Sequence, residues 1–204
     1  MSAEERVKEI YRKYIDVICP YILEYEVVSG SFPIAILNEI RAIFTHISKY
    51  YLSGDDKINE GNLSKAERHI KRTILDCYKY ICIAYDDEYK EFEKKYKRID
   101  LSLIDNGEFL SKLLEFHNTA VNLTKEARKT DYQIDSDNES KNDESYNKYQ
   151  KAYNAYSLVH DLINNSYKKL EFFKKRATFK DFLSISGWVI GIIGIILTII
   201  SFVL

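Results

Sequence analysis

Arg41 and His46 are the residues whose types and spacing best suit chemistry on a phosphate. A histidine can accept or donate a proton near neutral pH. An arginine can hold a phosphate through two parallel hydrogen bonds and stabilise negative charge in a transition state. If both residues lie on one helix, their separation places them about 140° apart around its axis. Arg41 must then reach around the helix, or the two side chains must serve different protomers.

A basic segment further along the chain adds Arg68, His69 and Arg72. One predicted helix contains His46, the next contains Arg68 and His69, and a glycine-containing turn separates them. If these two helices form an antiparallel hairpin, His46 lies opposite Arg68 and His69. Together with Asn38, the residues Arg68, His69 and Arg72 then form a candidate pocket for a phosphate or a nucleotide.

The segment Asn38–His46 resembles the R-x4-6-H signature of HEPN domains, which are all-helical bundles found in many prokaryotic RNases. The resemblance covers the motif and its helical setting, residues 34–100, and the chain departs from the pattern at Ala42, where family members often carry a polar residue. It implies metal-independent RNA cleavage, with His46 transferring protons, Arg41 holding the phosphate, and two protomers forming a composite site. The chain is also similar to small membrane accessory proteins of RNA-targeting CRISPR effectors, which implies a role in prokaryotic antiviral defence.

Two other interpretations of these residues stay open. In the first, they form a non-catalytic structural or ligand-sensing cluster, in which Glu39 pairs with Arg72 or Lys71 on a solvated helix face. In the second, the R-x4-H spacing arose by chance in a helical protein.

Other motifs that carry chemistry are absent from the sequence. It contains no G-x-x-x-x-G-K-[ST], no G-x-G-x-x-G and no G-x-S-x-G pattern. The three cysteines and four histidines match no zinc spacing, so we predict no metal and no cofactor. A formal net charge of −1 argues against a broad surface for duplex DNA, whereas RNA is a possible partner.

The scarcity of helix breakers predicts the elements that must position these residues. With 7 glycines and 2 prolines in 204 residues, the chain favours long helices. We expect an all-α fold, with a helical bundle over residues 1–178. Its first helix should begin with the capping box Ser2–Glu5, its third after Asn62 or Ser64, and the acidic stretch 131–144 should form a loop.

The C-terminal segment, residues 179–204, is predicted to be a transmembrane helix. No charged side chain occurs from Phe182 to Leu204, and about 20 apolar residues span the hydrocarbon core of a bilayer. Basic residues precede this run and none follows it, which predicts a tail-anchored protein of the inner membrane with its N-terminal domain in the cytoplasm. A hydrophobic core helix is the alternative.

Small or hydroxyl residues recur along this segment with spacings of three and four. Such a stripe is typical of a face that packs against another transmembrane helix, which predicts a homo-oligomer. A narrow pore, or a stripe without function, are the other interpretations. The predicted seam consists of Ser184, Gly187, Gly191, Gly194, Thr198 and Ser201.

Three functional hypotheses follow from these patterns. The first is an oligomeric, membrane-anchored effector of antiviral defence that permeabilises the inner membrane when an RNA-guided or nucleotide-signalling partner activates it. The second is a membrane-tethered, metal-independent HEPN-type RNase that uses Arg41 and His46. The third is a non-enzymatic membrane scaffold that binds another protein.

Overall fold

A computed structural model of the chain describes residues 1–132, 139–179, 188, 192, 193 and 195. All regular secondary structure among these residues is helical, so the all-α prediction is confirmed. A π-helical segment (Tyr14–Ile18) joins the first two helices, a 3-10 segment (Leu101–Gly107) precedes the fifth, and residues 167–179 are again helical after a turn at Ser166. The α-helices are α1 (Ala3–Lys13), α2 (Cys19–Ser29), α3 (Ile34–Leu52), α4 (Asp56–Tyr96), α5 (Glu108–Tyr132) and α6 (Glu139–Asn165).

Helix α1 begins as predicted, whereas α4 begins earlier. The Ser2 hydroxyl accepts from the Glu5 amide at 3.2 Å, and the Glu5 carboxylate accepts from the Ser2 amide at 2.7 Å. This completes the capping box. Helix α4 begins at Asp56 because the Asp55 carboxylate accepts from the backbone amides of Lys57 and Ile58, at 2.9 and 3.2 Å. The prediction of a start after Asn62 or Ser64 is therefore wrong.

The acidic loop predicted over residues 131–144 is longer than the gap between the helices in the structure. Helix α5 continues to Tyr132 and α6 begins at Glu139, and residues 133–138 lie outside the described residues. Two acidic residues near these helix ends make tertiary ion pairs: Asp131 with Lys79 at 2.8 Å, and Asp143 with Lys71. Contacts with α4 thus stabilise polar helical turns that show no apolar periodicity.

Helix α4 is the element on which the other helices pack. Its 41 residues correspond to a length of about 60 Å at the helical rise per residue. Helix α3 runs antiparallel along its N-terminal half, α6 runs parallel along its C-terminal half, and α5 forms an antiparallel hairpin with α6. Buried residues of α4 contribute to all three hydrophobic clusters of the core, among them Leu63, Ile70, Ile74, Tyr78, Ile81, Tyr85, Phe92 and Tyr96.

The tyrosine hydroxyls that enter this core have polar partners. The Glu24 carboxylate, on α2, accepts from the Tyr85 hydroxyl at 2.5 Å and from the Tyr153 hydroxyl at 3.0 Å. A buried hydroxyl without a partner would cost free energy. Glu24 therefore links α2 to both α4 and α6 while satisfying the two tyrosines.

Three histidine–carboxylate pairs join α4 to its neighbours. His69 Nδ1 lies 2.7 Å from Glu39 of α3, and His117 Nε2 of α5 lies 3.4 Å from Asp86. His160 Nδ1 of α6 lies 2.6 Å from Glu88. Each of the contacts of α4 with α3, α5 and α6 thus includes an imidazole paired with a carboxylate.

The pair between His160 and Glu88 predicts that stability falls as the pH rises. The hydrogen bond that His160 donates to Glu88 raises the pKa of His160 above its usual value. Partial burial opposes this shift, and the negative charges of Asp161 and Glu24 add to it. The folded state therefore holds the proton more tightly than the unfolded state, and this stabilisation is lost as the pH rises through the folded pKa. We expect urea unfolding from pH 5 to 9 to show a decline in stability that both His160→Gln and Glu88→Gln flatten. An unchanged pH profile in both variants would contradict the prediction.

The predicted transmembrane helix requires correction. Within residues 1–132 and 139–179, together with the four isolated positions beyond, no helix is long and apolar enough to cross a membrane. Helix α4 has the length, but charged residues recur throughout it. The apolar run from Phe182 to Leu204 lies outside the described residues except at positions 188, 192, 193 and 195. All six residues of the predicted seam lie outside them as well: Ser184, Gly187, Gly191, Gly194, Thr198 and Ser201.

Candidate functional site

Two histidine rings from adjacent helices stack between α3 and α4. The centroids of His46 and His69 are 5.3 Å apart, and their planes differ by 20°. The antiparallel α3–α4 hairpin brings them together, in the arrangement that the sequence predicts for His46 and the segment around His69. Both side chains are half-buried. The two imidazoles form a pair at the surface, here called the histidine pair.

Hydrogen bonds fix the orientation of each ring in the histidine pair. His69 Nδ1 lies 2.7 Å from Glu39 Oε2, and an ionised carboxylate can only accept, so Nδ1 donates. His46 Nδ1 lies 3.1 Å from Asn62 Oδ1, and the Asn62 amide nitrogen donates to the Ile58 carbonyl at 3.0 Å. The Asn62 oxygen thus accepts from His46 Nδ1. Neither ring has a partner at Nε2 among the described residues, so both Nε2 atoms can exchange a proton with a ligand.

Glu39 has a second partner in this cluster. The Arg72 Nε atom lies 3.4 Å from Glu39 Oε1, and the Glu39 side chain is only 16% exposed. The ion pair expected from the structural interpretation of the sequence is therefore present. It coexists with the histidine pair, because one oxygen of Glu39 contacts Arg72 and the other contacts His69.

Arg41 lies apart from this cluster. It is exposed on α3, and its side chain makes no hydrogen bond or ion pair with any described residue. Only its backbone carbonyl has a side-chain partner, the Thr45 hydroxyl at 2.8 Å. Asn38 is likewise exposed and has no side-chain partner in the part of the chain that the structure describes. The structure therefore brings His46 together with His69, and does not join either residue to Arg41 or Asn38.

A pocket of about 390 Å³ opens beside α4; we call it the basic pocket. Arg68 and Arg72 both line it, as the sequence predicts, whereas His69 is not among its lining residues because it faces α3. Arg68, Arg72, Leu75 and Lys79 lie on one face of the helix, and their spacing could have indicated all four lining residues from the sequence. The lining residues are Arg68, Lys71, Arg72, Leu75, Asp76, Lys79, Asp131 and Tyr146.

The charges of the basic pocket are only partly balanced. Lys79 pairs with Asp131, and Lys71 pairs with Asp143. Arg68 makes no ion pair with any residue in the described ranges. Burial raises the pKa of Asp76, and the nearby cations Lys79 and Arg72 oppose this shift. The pocket thus combines an unneutralised guanidinium with a carboxylate whose hydration is reduced.

Arg72 connects the histidine pair to the basic pocket. It lines the pocket and contacts Glu39, which accepts the hydrogen bond from His69. This arrangement can transfer protons and hold an anion. Among the described residues, no group of three or more His, Cys, Asp and Glu side chains can hold a metal ion. In comparisons with protein-family models, curated proteins and solved structures, nothing matches the chain.

Proposed function

We propose that the chain is a metal-independent endoribonuclease whose histidine pair transfers the protons. The observation that carries this proposal is the stacking of His46 on His69 at 5.3 Å, with each Nδ1 atom engaged and each Nε2 atom open to a ligand. RNA cleavage by its own 2′-hydroxyl needs one group that removes a proton and one that supplies a proton. Two imidazoles suit both tasks.

The partners of the two histidines suggest how the tasks are divided. A carboxylate contacts His69 and a neutral amide contacts His46. We therefore assign the acid to His69 and the base to His46. His46 removes the proton of the 2′-hydroxyl, the 2′-oxygen bonds to phosphorus, and His69 protonates the departing 5′-oxygen. The products are a 2′,3′-cyclic phosphate and a 5′-hydroxyl.

The arginines have separate tasks in this proposal. Arg72 contacts the glutamate that holds His69 and lines the basic pocket together with Arg68, and a guanidinium in this position can stabilise negative charge on the phosphate. Arg41, which is exposed and unpaired within the described residues, binds the RNA backbone at a neighbouring phosphate. The resemblance of Arg41 and His46 to the HEPN motif supports the same reaction class. The membrane-permeabilising effector and the inner-membrane location depended on the transmembrane helix and are not proposed.

The test is cleavage of a single-stranded RNA by the full-length protein in excess EDTA. A matched strand carries 2′-deoxyribose throughout. We expect the RNA to be cut and to end in a 2′,3′-cyclic phosphate, and the deoxy strand to stay intact because it lacks the attacking hydroxyl. No cleavage, equal cleavage of both strands, or activity that EDTA abolishes would overturn the proposal.

A second candidate function is protein binding through the exposed face of α3. The side chains of Ile34, Leu37, Phe44 and Tyr51 are 72%, 50%, 39% and 63% exposed. Their spacing places them in one stripe, which flanks the buried face that packs on α4 and lies about 90° around the helix axis from it. Arg41 is exposed on the same helix. An apolar stripe of this kind suits another helix, from a second copy or from a different protein. A protein without RNase activity that self-associates would favour this function.

A further inference from the structure

The walls of the basic pocket include a flat aromatic surface and an aliphatic one. Tyr146 of α6 and Leu75 of α4 both line the pocket, and both pack against the core cluster formed by α1, α3 and the first half of α4. The Tyr146 ring meets the buried Tyr78 ring edge to face, with centroids 5.6 Å apart. These contacts hold the Tyr146 ring in place while part of it faces the pocket. A fixed aromatic ring is a surface on which an unstacked base can stack.

Asp76 supplies the polar edge of the pocket. Its carboxylate makes no hydrogen bond or ion pair with any described residue, although it is partly withdrawn from water. The positively charged groups near it are Arg72 and Lys79, and the negatively charged groups near it are Glu39 and Asp131. An ionised carboxylate accepts hydrogen bonds at both oxygens and donates none. A ligand that offers two adjacent N–H donors is therefore its best match.

Cations of the same pocket suit a phosphate. Arg68 has no ion pair among the described residues, and Arg72 contacts Glu39 only through Nε, at 3.4 Å. Both side chains line the pocket with Asp76, and guanidinium groups bind phosphate oxygens bidentately. The pocket volume of about 390 Å³ is in the range of small-ligand sites.

We propose that the basic pocket binds a guanine nucleotide of the RNA substrate. The base stacks on Tyr146, its N1–H and N2–H groups donate to Asp76, and Arg68 and Arg72 hold its phosphate. Guanine is the base with two adjacent donors on its Watson–Crick edge, whereas adenine and cytosine place a ring acceptor beside the amino group, and uracil has one donor between two carbonyls. The inference rests on the proposed function for the source of the nucleotide, and it gives the enzyme a preference for sites beside a guanosine.

The test measures binding to the full-length protein without any cleavage. GMP, AMP and inorganic phosphate are titrated by calorimetry. We expect GMP to bind about tenfold more tightly than AMP, which is within the discrimination of one paired base-edge contact. The variant Asp76→Asn should bring the two affinities within twofold of each other by weakening GMP alone. The variant Arg68→Gln should weaken GMP and AMP by the same factor. Asp16→Asn, an exposed carboxylate of the π-helical segment, is the matched control and should change neither.

Equal binding of GMP and AMP, no binding of GMP, or an unchanged preference in Asp76→Asn would overturn the inference. These outcomes are distinct from failure of the proposed function. RNA cleavage with no preference for guanosine keeps the RNase and removes the guanine site. Selective GMP binding by a protein that does not cut RNA keeps the guanine site and removes the RNase. Asp76→Asn is nearly isosteric, and a far-UV circular dichroism spectrum like that of the wild type shows that the variant is folded.

Discussion

Replacing His69 with asparagine is expected to lower kcat/KM for RNA cleavage by about 10²–10⁴-fold, the usual contribution of a positioned general acid or base. Asparagine can still donate a hydrogen bond to Glu39, but it cannot exchange a proton at the position of Nε2. His46→Asn should cause a loss of similar size. Because the two rings act on one phosphate, the double variant should be little slower than either single variant. Initial rates on the RNA of the EDTA experiment measure all three.

His117→Asn is the matched control for these variants. His117 is also half-buried, stacks on the Tyr89 ring at 3.6 Å and lies 3.4 Å from Asp86, but it belongs to α5 and lies outside the histidine pair. We expect its cleavage rate to match that of the wild type. If His69→Asn and His117→Asn lose the same activity, the loss reflects general damage to the bundle, and the histidine pair does not transfer protons. A wild-type rate in His69→Asn would exclude it as the acid.

Replacing Ile81 with alanine is expected to lower the free energy of unfolding by about 2–5 kcal/mol. Ile81 is 0% exposed and belongs to the cluster in which α4 meets α5 and α6. The change removes buried apolar surface and leaves a cavity that the surrounding helices can fill only in part. Because a domain of this size is stable by about 5–15 kcal/mol, the loss is a large fraction of the total. Urea unfolding followed by far-UV circular dichroism measures it.

Ile83→Ala is the control for the Ile81 variant. Ile83 lies on the same helix, two residues further on, and is 47% exposed. Both variants replace isoleucine with alanine in α4, so they remove the same atoms and change the helix propensity by the same amount. We expect Ile83→Ala to cost less than about 1 kcal/mol, because a surface change away from packed features has a small effect. Equal losses in the two variants would show that the cluster around Ile81 does not carry the packing assigned to it.

Helix boundaries could be predicted from the sequence where residues close together in the chain determine them. The Ser2–Glu5 capping box is a short-range feature and is present as predicted. The early start of α4 depends on Asp55, a residue type preferred at an N-cap, and the helix continues through Gly61. The helical turns around Asp131 and Asp143 depend on ion pairs to Lys79 and Lys71, which come from a distant part of the sequence. No apolar periodicity marks them.

The candidate site was predictable to the extent that one hairpin determines it. The α3–α4 hairpin places His46 against His69, and residue spacing along α4 groups Arg68 with Arg72. Tyr146 joins the same pocket from α6, and nothing local in the sequence marks the topology that brings it there. The membrane prediction used the apolar length of the C-terminal run, its lack of charge and the basic residues before it, and that run lies outside the described residues except at four positions.

The continuity of α4 has a consequence for how the chain can vary in length. One uninterrupted helix carries Asn62 and His69 against α3 at one end, and Tyr96 against the helical segment 167–179 at the other. A single residue added between these ends would turn one half relative to the other by about 100° and shift it by about 1.5 Å. Insertions and deletions among natural variants should therefore fall in the turns on either side of α4, at 53–55 and 97–100, or occur within it only in steps close to whole turns.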